Sequence, residues 1–348
     1  MSGQTETLVV VNYNAARARA AWAHARSVLV ARGVRFEAHE AKEAGDAQRA
    51  TGSALGAGYR TIAVVGGDGT LGEVATGFFA RQDARAPEAR TTTTTPARIN
   101  AEAALALLPA GTGNDFARGL EGGRASLDGW LERLIRHVRR DDDATTHAVA
   151  ASTTRAVARA TTRAVDVLHG TIGDDARTFF CLNAATLGIG AEVAALVAAQ
   201  GNAVRRLPGE ARFALAAARA LAGWRVRRIS VRVDDAEAFE CVTNLVAIAN
   251  SPYAGGGMMF SPDARTDDGL LDVVTACRLT RASLMREMTR IHSGGHVRNP
   301  RVEIRRGARV RIEHLTPTDA LAVEADGDVR GHTPLEFRVL AGALKVVC

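Results

Sequence analysis

Short apolar runs alternate with longer stretches of helical composition over roughly the first third of the chain. Continuous apolar runs are typical of strands that are buried on both faces of a parallel sheet. The alternation of such strands with helices predicts a doubly wound α/β domain. The predicted strands are 8–11, 34–37, 61–65 and 105–108, and the predicted helices are 15–32, one capped by Asp46 and reaching toward Gly58, and 71–81.

The pattern changes after about residue 162, where short strand-like segments follow one another and Gly, Asp and Pro separate them. This pattern predicts a mostly β domain, a sandwich or a barrel, with few helices. The predicted helices are Ala191–Ala199, Glu210–Leu221 and Ser283–His292. The predicted strands are 164–168, 178–182, 229–233, 242–249, 271–276, 302–304, 310–312, 321–323 and 335–340.

Two segments, 81–100 and 139–162, are biased toward Thr, Ala and Arg and show weak periodicity, so we interpret both as surface insertions. A chain of 348 residues exceeds one typical domain. We therefore predict an α/β domain over 1–140, an insertion or linker over 141–162, and a β-rich domain over 163–348. The C-terminal end of the chain is expected to pack back on the first domain.

Composition and charge narrow the class of protein. The chain is 47% hydrophobic and 24% charged, which is typical of a globular protein, and its net charge of +6 favours anionic partners. The alternative is a basic enzyme from an Arg-rich proteome. The four cysteines contain no C-x-x-C pair, which argues against a zinc cluster and for a reducing compartment. With no signal sequence and no run of about 18 apolar residues, we expect a cytoplasmic protein.

The first candidate site is the glycine-rich segment Gly66–Gly69, between a predicted strand and a predicted helix. In such a loop, backbone N–H groups and the helix N-terminus can surround a phosphate. The pattern is neither the dinucleotide-binding G-x-G-x-x-G nor the P-loop motif. The alternative is a tight turn in which Asp68 is a turn former.

A second glycine loop, "PAGTGND" at 109–115, follows the next predicted strand. Both loops lie at the C-terminal ends of predicted parallel strands, where open α/β sheets bind ligands. Thr112 can hydrogen-bond a phosphate or a ribose. Asn114 and Asp115 are candidates for helix caps, and a catalytic role of Asp115 stays open beside that.

Together with these loops, several later segments resemble the diacylglycerol kinase catalytic-domain family, which includes bacterial lipid kinases, sphingosine kinases and ceramide kinases. The resemblance extends over nearly the whole chain. Six segments carry it: "VVNYNA" (10–15), the two glycine loops "GGDGTLGEV" and "LPAGTGNDFARGL", "FFCLNAATLGIGAEV" (179–193), "GGGMMFSPDARTDDGLLDVV" (255–274) and "ADGDVRGHTPLEFRVLAGALKVV" (325–347).

The resemblance implies ATP-dependent, Mg²⁺-assisted phosphoryl transfer to a lipid hydroxyl, on an α/β domain of the phosphofructokinase and NAD kinase type followed by a sandwich-like β domain. It implies no nucleic-acid partner. A carboxylate beside a triphosphate repels it unless a metal lies between them, so Asp68 indicates Mg²⁺ nearby, with a role as base as the alternative. The implied nucleotide-binding residues are Asn12, Gly66, Gly67, Asp68, Gly69, Thr70, Glu73, Gly111, Thr112 and Asn114.

The resemblance also places the general base in the segment "ADGDV". Asp328 is the expected proton acceptor, with Asp326 beside it. The family usually has Glu at the position of Asp328. A surface hairpin turn is the alternative interpretation of Asp-Gly-Asp.

The segment "RTDDGLLD" (265–272) resembles a structural Mg²⁺ site of bacterial family members. The implied ligands are the Asp268 carboxylate and the carbonyl groups of Arg265 and Leu270. Mg²⁺ accepts such oxygen ligands when waters complete its shell. An ordinary Asp-Asp-Gly turn is the alternative.

The sequence departs from the family pattern at Gly72, Tyr13 and Ala41, where the family usually has Asn, Pro and, in many members, Thr. The basic segment 205–228 would lie on an anionic membrane, at the inner face of the cell membrane, or pack on the β domain as a plain helix. Two further functions stay open: an NAD-kinase-like nucleotide kinase and a non-catalytic lipid-binding protein on the kinase fold. The acceptor lipid and the oligomeric state, for which a homodimer is one option, do not follow from the sequence.

Overall fold

The structure is a computed structural model that describes residues 6–15, 17–80, 96–124, 126–147, 161–173, 175, 177–201, 204 and 209–348. The chain forms two compact units. One comprises Met1–Val165 together with Gly342–Cys348, and the other comprises Asp166–Ala341. In the part of the chain that is described, every helix is too short or too polar to span a bilayer.

The first unit is an α/β domain around a parallel sheet, as the sequence predicts. Its elements are β1 (Thr7–Val11), α1 (Ala18–Ala31), β2 (Glu37–Glu40), α2 (Asp46–Gly56), β3 (Thr61–Gly66), α3 (Asp68–Thr76), β4 (Ala104–Pro109), α4 (Asp115–Glu121) and α5 (Leu127–His147). The strands lie in the order β2-β1-β3-β4, and Lys345 and Val346 add a further parallel pairing to β4. The inner strands β1, β3 and β4 are almost wholly buried, which explains their continuous apolar sequence.

The second unit is mostly β, also as predicted. Its helices are α6 (Ile189–Ala198), α7 (Gly209–Gly223) and α8 (Arg281–Arg290). Its strands are β5 (Thr162–Ile172), β6 (Arg177–Cys181), β7 (Ala184–Gly188), β8 (Arg227–Val233), β9 (Phe239–Ala249), β10 (Tyr253–Ala254), β11 (Met258–Met259), β12 (Leu271–Cys277), β13 (Val302–Gly307), β14 (Arg309–His314), β15 (Ala322–Ala325), β16 (Asp328–His332) and β17 (Leu335–Val347). The antiparallel order is β16-β15-β7-β9-β8-β14-β17, and β12 pairs with both β9 and β13. Trp224, just after α7, shares one buried cluster with apolar side chains of β5–β9, β12, β14, β15 and β17.

Two predicted elements of the first unit are wrong in position. The strand expected at 34–37 lies at Glu37–Glu40, because Gly33 adopts a left-handed φ of 68° and the Val34 N–H still bonds to the end of α1 at Leu29. The expected cap at Asp46 is also wrong. Gly45 occupies the cap position, and the Asp46 carboxylate accepts the Lys42 N–H at 3.0 Å instead. This hydrogen bond is the main cause that lowers the Asp46 pKa.

Helix α3 begins at Asp68, inside the glycine loop, rather than at Leu71 as predicted. Helix α5 continues to His147, so the interpretation of 139–147 as an insertion of weak periodicity is wrong. Residues 81–95 and 148–160 of the predicted insertions lie outside the described residues. Strands β7 and β16, which the sequence analysis did not predict, both pair with β15.

Cys241 and Cys277 form a disulfide with 5.9 Å between their Cα atoms. The two residues are 36 positions apart in sequence but lie on the adjacent antiparallel strands β9 and β12. Cysteine spacing does not reveal a pair that only strand adjacency creates, so the spacing no longer supports the expectation of a reducing compartment.

Candidate active site

The first glycine loop follows β3 directly and is locked to the end of β1. The Asn12 side chain donates to Thr70 Oγ1 at 3.0 Å, and the Asn12 N–H donates to the Val65 carbonyl at 3.1 Å. A Cβ at Gly66 would lie 2.7 Å from the Cβ of Thr70. Glycine at 66 is therefore what allows Thr70 to sit under the loop and meet Asn12.

The second glycine loop lies directly against the first. A Cβ at Gly111 would lie 2.5 Å from the Cα of Gly67, and one at Gly67 would lie 3.1 Å from the Cα of Gly111. The Ala110 N–H donates to the Gly66 carbonyl at 2.8 Å. The two backbones thus touch at the C-terminal ends of the adjacent parallel strands β3 and β4, the edge at which α/β sheets bind ligands.

Asp68 connects the two loops through its side chain. Its Oδ1 accepts the backbone N–H of Phe116 at 3.1 Å, in the first turn of α4. This is the bond of an N-cap residue, supplied by a neighbouring loop rather than by the residue before the helix. Asn114 occupies the cap position with φ at 52°, but its side chain bonds both backbone groups of Gly111, at 2.9 and 3.1 Å.

A cavity of about 460 Å³ opens beside the second loop. Three arginines line it, Arg17, Arg118 and Arg124, and the guanidinium group of Arg17 is held by the Gly111 carbonyl. Thr112 is exposed at its wall, next to Gly113 and Asn114. Guanidinium groups beside backbone donors are suited to bind phosphate groups. Sequence reasoning missed these arginines, since they lie apart in the chain and carry no motif.

The remaining predicted nucleotide-binding residues lie on the first turns of α3. Gly69 is exposed, Thr70 is buried, and Glu73 is half-buried. All ten residues predicted to contact the nucleotide therefore belong to the first unit, at the end of β3, in the loops after β1, β3 and β4, and on α3.

In the second unit, Asp326 lies in the turn between β15 and β16. Its Oδ2 accepts the Leu182 N–H at 2.7 Å, and its Oδ1 accepts the Asn183 N–H at 2.9 Å and the Cys181 thiol at 3.3 Å. The pKa of the Cys181 thiol is raised well above its usual value, mainly by burial and secondly by the negative charge of Asp326. The thiol therefore stays protonated and donates its hydrogen to Asp326. Asp326 therefore holds the 181–183 loop in place.

Asp328 begins β16 and differs sharply from Asp326 in its surroundings. Its side chain is 61% exposed, and its contact with Arg330 at 3.3 Å is a surface ion pair, which is weak. Glu324 lies two residues before Asp326, and its side chain is buried. Burial is the main cause that raises the Glu324 pKa to about 7. Sequence reasoning missed Glu324, although alternation along β15 places its side chain opposite to those of Val323 and Ala325.

Asp268, the carboxylate predicted to bind a structural Mg²⁺ ion, contacts a different cation. The Asp268 Oδ2 is in contact with the Arg306 guanidinium, and its Oδ1 accepts the Leu270 N–H at 3.1 Å. Arg306 also bonds the buried Asp272 at 2.9 Å, and this bond foremost raises the Arg306 pKa. Mg²⁺ requires open oxygen ligands. In this arrangement the residues do not fit the ion, because a guanidinium group already neutralises the carboxylate.

Comparison with known proteins agrees with the geometry of the loops. Residues 6–147 match the family model of the diacylglycerol kinase catalytic domain, and residues 185–348 match that of the YegS C-terminal NAD kinase beta sandwich-like domain. This chain belongs to the YegS-like lipid kinase family. It is 32% identical over 313 residues to a probable lipid kinase YegS-like of Pseudomonas aeruginosa (strain PAO1), covering 87% of this chain and 82% of that protein.

Two further relatives extend the comparison. A protein named diacylglycerol kinase from Mycobacterium tuberculosis (strain H37Rv) is 27% identical to this chain over 313 residues, covering 88% of this chain and 82% of that protein. A crystal structure of a diacylglycerol kinase from Bacillus anthracis str. Sterne aligns with a TM-score of 0.64 at 18% identity, covering 100% of this chain and 98% of that one. At that identity the structure shows the shared fold alone.

Proposed function

We propose that this lipid kinase transfers the γ-phosphoryl group of MgATP to the hydroxyl group of a diacylglycerol-like or related lipid. The observation that carries the proposal is the pair of touching glycine loops, Gly66–Gly69 and Gly111–Asn114, beside a cavity lined by three arginines. Backbone donors, the start of α3 and guanidinium groups together favour a polyphosphate. Membership of the family supports ATP as the donor.

In this proposal the loops position the phosphates, one carboxylate attracts the Mg²⁺ ion, and another accepts the proton of the lipid hydroxyl. Thr70, fixed by Asn12, and Thr112 supply hydroxyl donors, while Asn114 keeps the second loop in shape. Asp68 keeps one oxygen on the Phe116 N–H. Its negative charge would help to hold the Mg²⁺ that accompanies the nucleotide substrate. Glu73, five residues after Asp68 on α3, is assigned to the same site.

We assign the general base to Asp328 and a positioning role to Asp326. A base must be able to take a proton from an incoming hydroxyl group, and the exposed Asp328 side chain can meet one. The Asp326 carboxylate already accepts three hydrogen bonds from the 181–183 loop.

The test is phosphoryl transfer from labelled ATP to diacylglycerol, sphingoid base, phosphatidylglycerol and NAD, followed by mass spectrometry of products from a total lipid extract. A labelled lipid product is expected. Labelled NADP without labelled lipid would show a nucleotide kinase. Lipid binding without ATP turnover would show a non-catalytic lipid-binding protein. Either result would contradict the proposal.

The two aspartates give a matched pair of variants. Asp328→Asn should fold with wild-type stability and lower kcat by about 10²- to 10⁴-fold, because it removes only the proton acceptor. Asp326→Asn should lower the melting temperature. An amide has only one oxygen, so it cannot accept the Leu182 and Asn183 N–H groups on two separate oxygens as the carboxylate does. Glu313→Gln, at an exposed ion pair, is the control and should leave both properties unchanged. An Asp328→Asn protein with wild-type kcat would exclude Asp328 as the base.

We further propose that the protein is cytoplasmic and reaches its lipid by peripheral contact with the inner face of the membrane. Its net charge of +6 supports attraction to anionic lipids. Residues 205–208 of the basic segment lie outside the described residues, and Trp224 at its other end is buried in the second unit. The proposal therefore rests on the overall charge rather than on insertion of this tryptophan.

A further inference from the structure

Glu324 places a carboxyl group inside the second unit, next to the turn that carries Asp326 and Asp328. The residue is only 9% exposed. Thr186 Oγ1 donates to Glu324 Oε2 at 2.6 Å, and the Gly327 N–H donates to Glu324 Oε1 at 2.5 Å. Each carboxyl oxygen thus has a donor from a different element, one from β7 and one from the turn.

Strand pairing fixes the first of these bonds. Thr186 and Glu324 lie directly opposite each other on the antiparallel strands β7 and β15, so their side chains share one face of the sheet. Gly190, in the first turn of α6, covers the pair so closely that a Cβ there would lie 2.8 Å from Thr186 Oγ1. The hydroxyl–carboxyl pair is therefore enclosed between the sheet and α6.

The second bond fixes the turn itself. Asp326 and Gly327 both have left-handed backbone conformations, with φ of 50° and 94°. Such a turn exposes its amides unless a side chain accepts them, and Glu324 accepts the one at Gly327. Glu324 ties the turn to β15 from one side while the Asp326 carboxylate ties it to the 181–183 loop from the other.

We propose that Glu324 is a positioning residue of the phosphoryl transfer inferred above: its carboxylate holds the turn that carries Asp326 and Asp328. The inference rests on the proposed function for its catalytic part. A hydrogen bond to an ionised acceptor is stronger than one to a neutral acceptor. Protonation of Glu324 therefore weakens its bond to the Gly327 N–H, and the hold on the turn weakens as the pH falls.

The electrostatic surroundings support titration of Glu324 close to neutral pH. Burial foremost raises its pKa to about 7, and the charges of Asp326 and Asp328 raise it further, while the bonds from Thr186 and Gly327 oppose the rise. Other ionisable groups lie on the elements packed around β15. They are Cys181 before β7, Glu192 on α6, Arg177 on β6, and Arg330 and His332 on β16.

The first test is the pH profile of kcat/KM for lipid phosphorylation. The wild-type profile should fall on the acid side with an apparent pKa of about 7. Glu324→Gln keeps the shape but cannot ionise: its amide oxygen can accept the Gly327 N–H, and its NH2 group can donate to the Thr186 hydroxyl oxygen, which then accepts instead of donating. It should lose this acid limb and run about tenfold below the wild type at pH 8. Thr186→Val removes a donor to the ionised form and should move the acid limb to higher pH.

A second test needs no activity. A folded-state pKa above that of the unfolded chain means that the folded protein binds the proton more tightly between about pH 4.5 and 7. The associated stability is fully present below pH 4.5 and is lost as the pH rises through 7. The melting temperature of the wild type should therefore fall relative to Glu324→Gln between pH 5 and 8. Glu313→Gln is the control, and its melting temperature should follow that of the wild type.

The outcomes separate this proposal from the proposed function. A wild-type acid limb retained in Glu324→Gln, with lipid phosphorylation intact, would overturn the role of Glu324 and leave the lipid kinase proposal standing. Absence of lipid phosphorylation by the wild type at any pH would overturn both. Faster amide exchange at Gly327 in Glu324→Ala, but not in Glu324→Gln, would support the hold on the turn, and equal exchange in both variants would contradict it.

Discussion

At the scale of single residues, the candidate nucleotide site depends on side chains that fix backbone rather than on side chains that point at a ligand. The Asn12 side chain donates to the Thr70 hydroxyl, the Asn114 side chain accepts the Gly111 N–H, and the Asp68 side chain accepts the Phe116 N–H. Such bonds hold the N–H groups of the loops in place before any phosphate arrives. Preorganised donors are worth more than donors that must reorganise during the reaction.

Asp68 has two separable roles, and two substitutions distinguish them. Asp68→Asn keeps an oxygen for the Phe116 N–H but loses the charge, so stability should change by less than about 0.5 kcal/mol while phosphoryl transfer falls at least tenfold. Asp68→Ala should in addition cost about 1 kcal/mol of unfolding free energy, the usual cost of a lost cap. Urea denaturation and kinase assays measure the two effects. Equal activity of Asp68→Asn and the wild type would contradict the role of the charge.

Gly111 tests the contact between the two loops. In Gly111→Ala the new methyl group meets the Cα of Gly67, which is backbone and cannot rotate away. We expect a loss of about 1–3 kcal/mol in stability and a loss of ATP binding, measured by thermal denaturation and calorimetry. Gly123→Ala is the matched control, since a Cβ there would lie more than 4 Å from the described atoms around it. Normal ATP binding by Gly111→Ala would mean that the loops need not touch.

At the scale of elements, β12, β13 and the loop before β12 are joined by one arginine. Arg306 on β13 bonds two carboxylates, that of Asp272 and that of Asp268. Asp272 lies near the beginning of β12 and is only 2% exposed, and Asp268 lies in the preceding loop. Asp272 also accepts the Ser261 hydroxyl at 2.5 Å. A cation that satisfies two carboxylates can hold a segment as a metal ion does, without any dependence on metal concentration.

Removal of Arg306 should therefore create a dependence on Mg²⁺. Wild-type melting temperature should be equal in Mg²⁺ and in EDTA. Arg306→Gln should lose about 1–2 kcal/mol, since the arginine is 44% exposed and its pairs are partly screened, and Mg²⁺ should restore part of the loss. Arg311→Gln, at the exposed Glu313 pair, is the control. A wild-type protein that melts lower in EDTA would show that the ion binds despite Arg306.

At the scale of the whole molecule, the net charge of +6 bears on where the protein meets its lipid. Attraction between a basic protein and an anionic membrane is long-ranged and weakens with salt, because the screening length falls from about 10 Å at 0.1 M to about 3 Å at 1 M.

We therefore expect co-sedimentation with vesicles that contain phosphatidylglycerol, and its loss as salt is raised. Vesicles of phosphatidylcholine alone are the control and should bind little at any salt concentration. Binding to both vesicle types that does not respond to salt would contradict an electrostatic contact and would point to apolar insertion.

The sequence by itself determined the fold class, the family and the two glycine loops. These features are local: apolar runs specify buried strands, and a glycine pattern between a strand and a helix specifies a loop whatever lies around it. It also located the Asp326–Asp328 turn, because that motif is contiguous. The misplaced strand β2 and the wrong Asp46 cap show the limit, since hydrogen bonds to Leu29 and Lys42 decided both positions.

Only the tertiary structure decided which distant residues meet. The Glu324–Thr186 pair, the Cys241–Cys277 disulfide and the hold of Arg306 on Asp268 each join residues far apart in sequence through strand pairing or close packing. The same holds for the contact between Gly67 and Gly111, which depends on the parallel register of β3 and β4. Charge, burial and protonation are properties of these neighbourhoods, and a linear pattern does not contain the distances that set them.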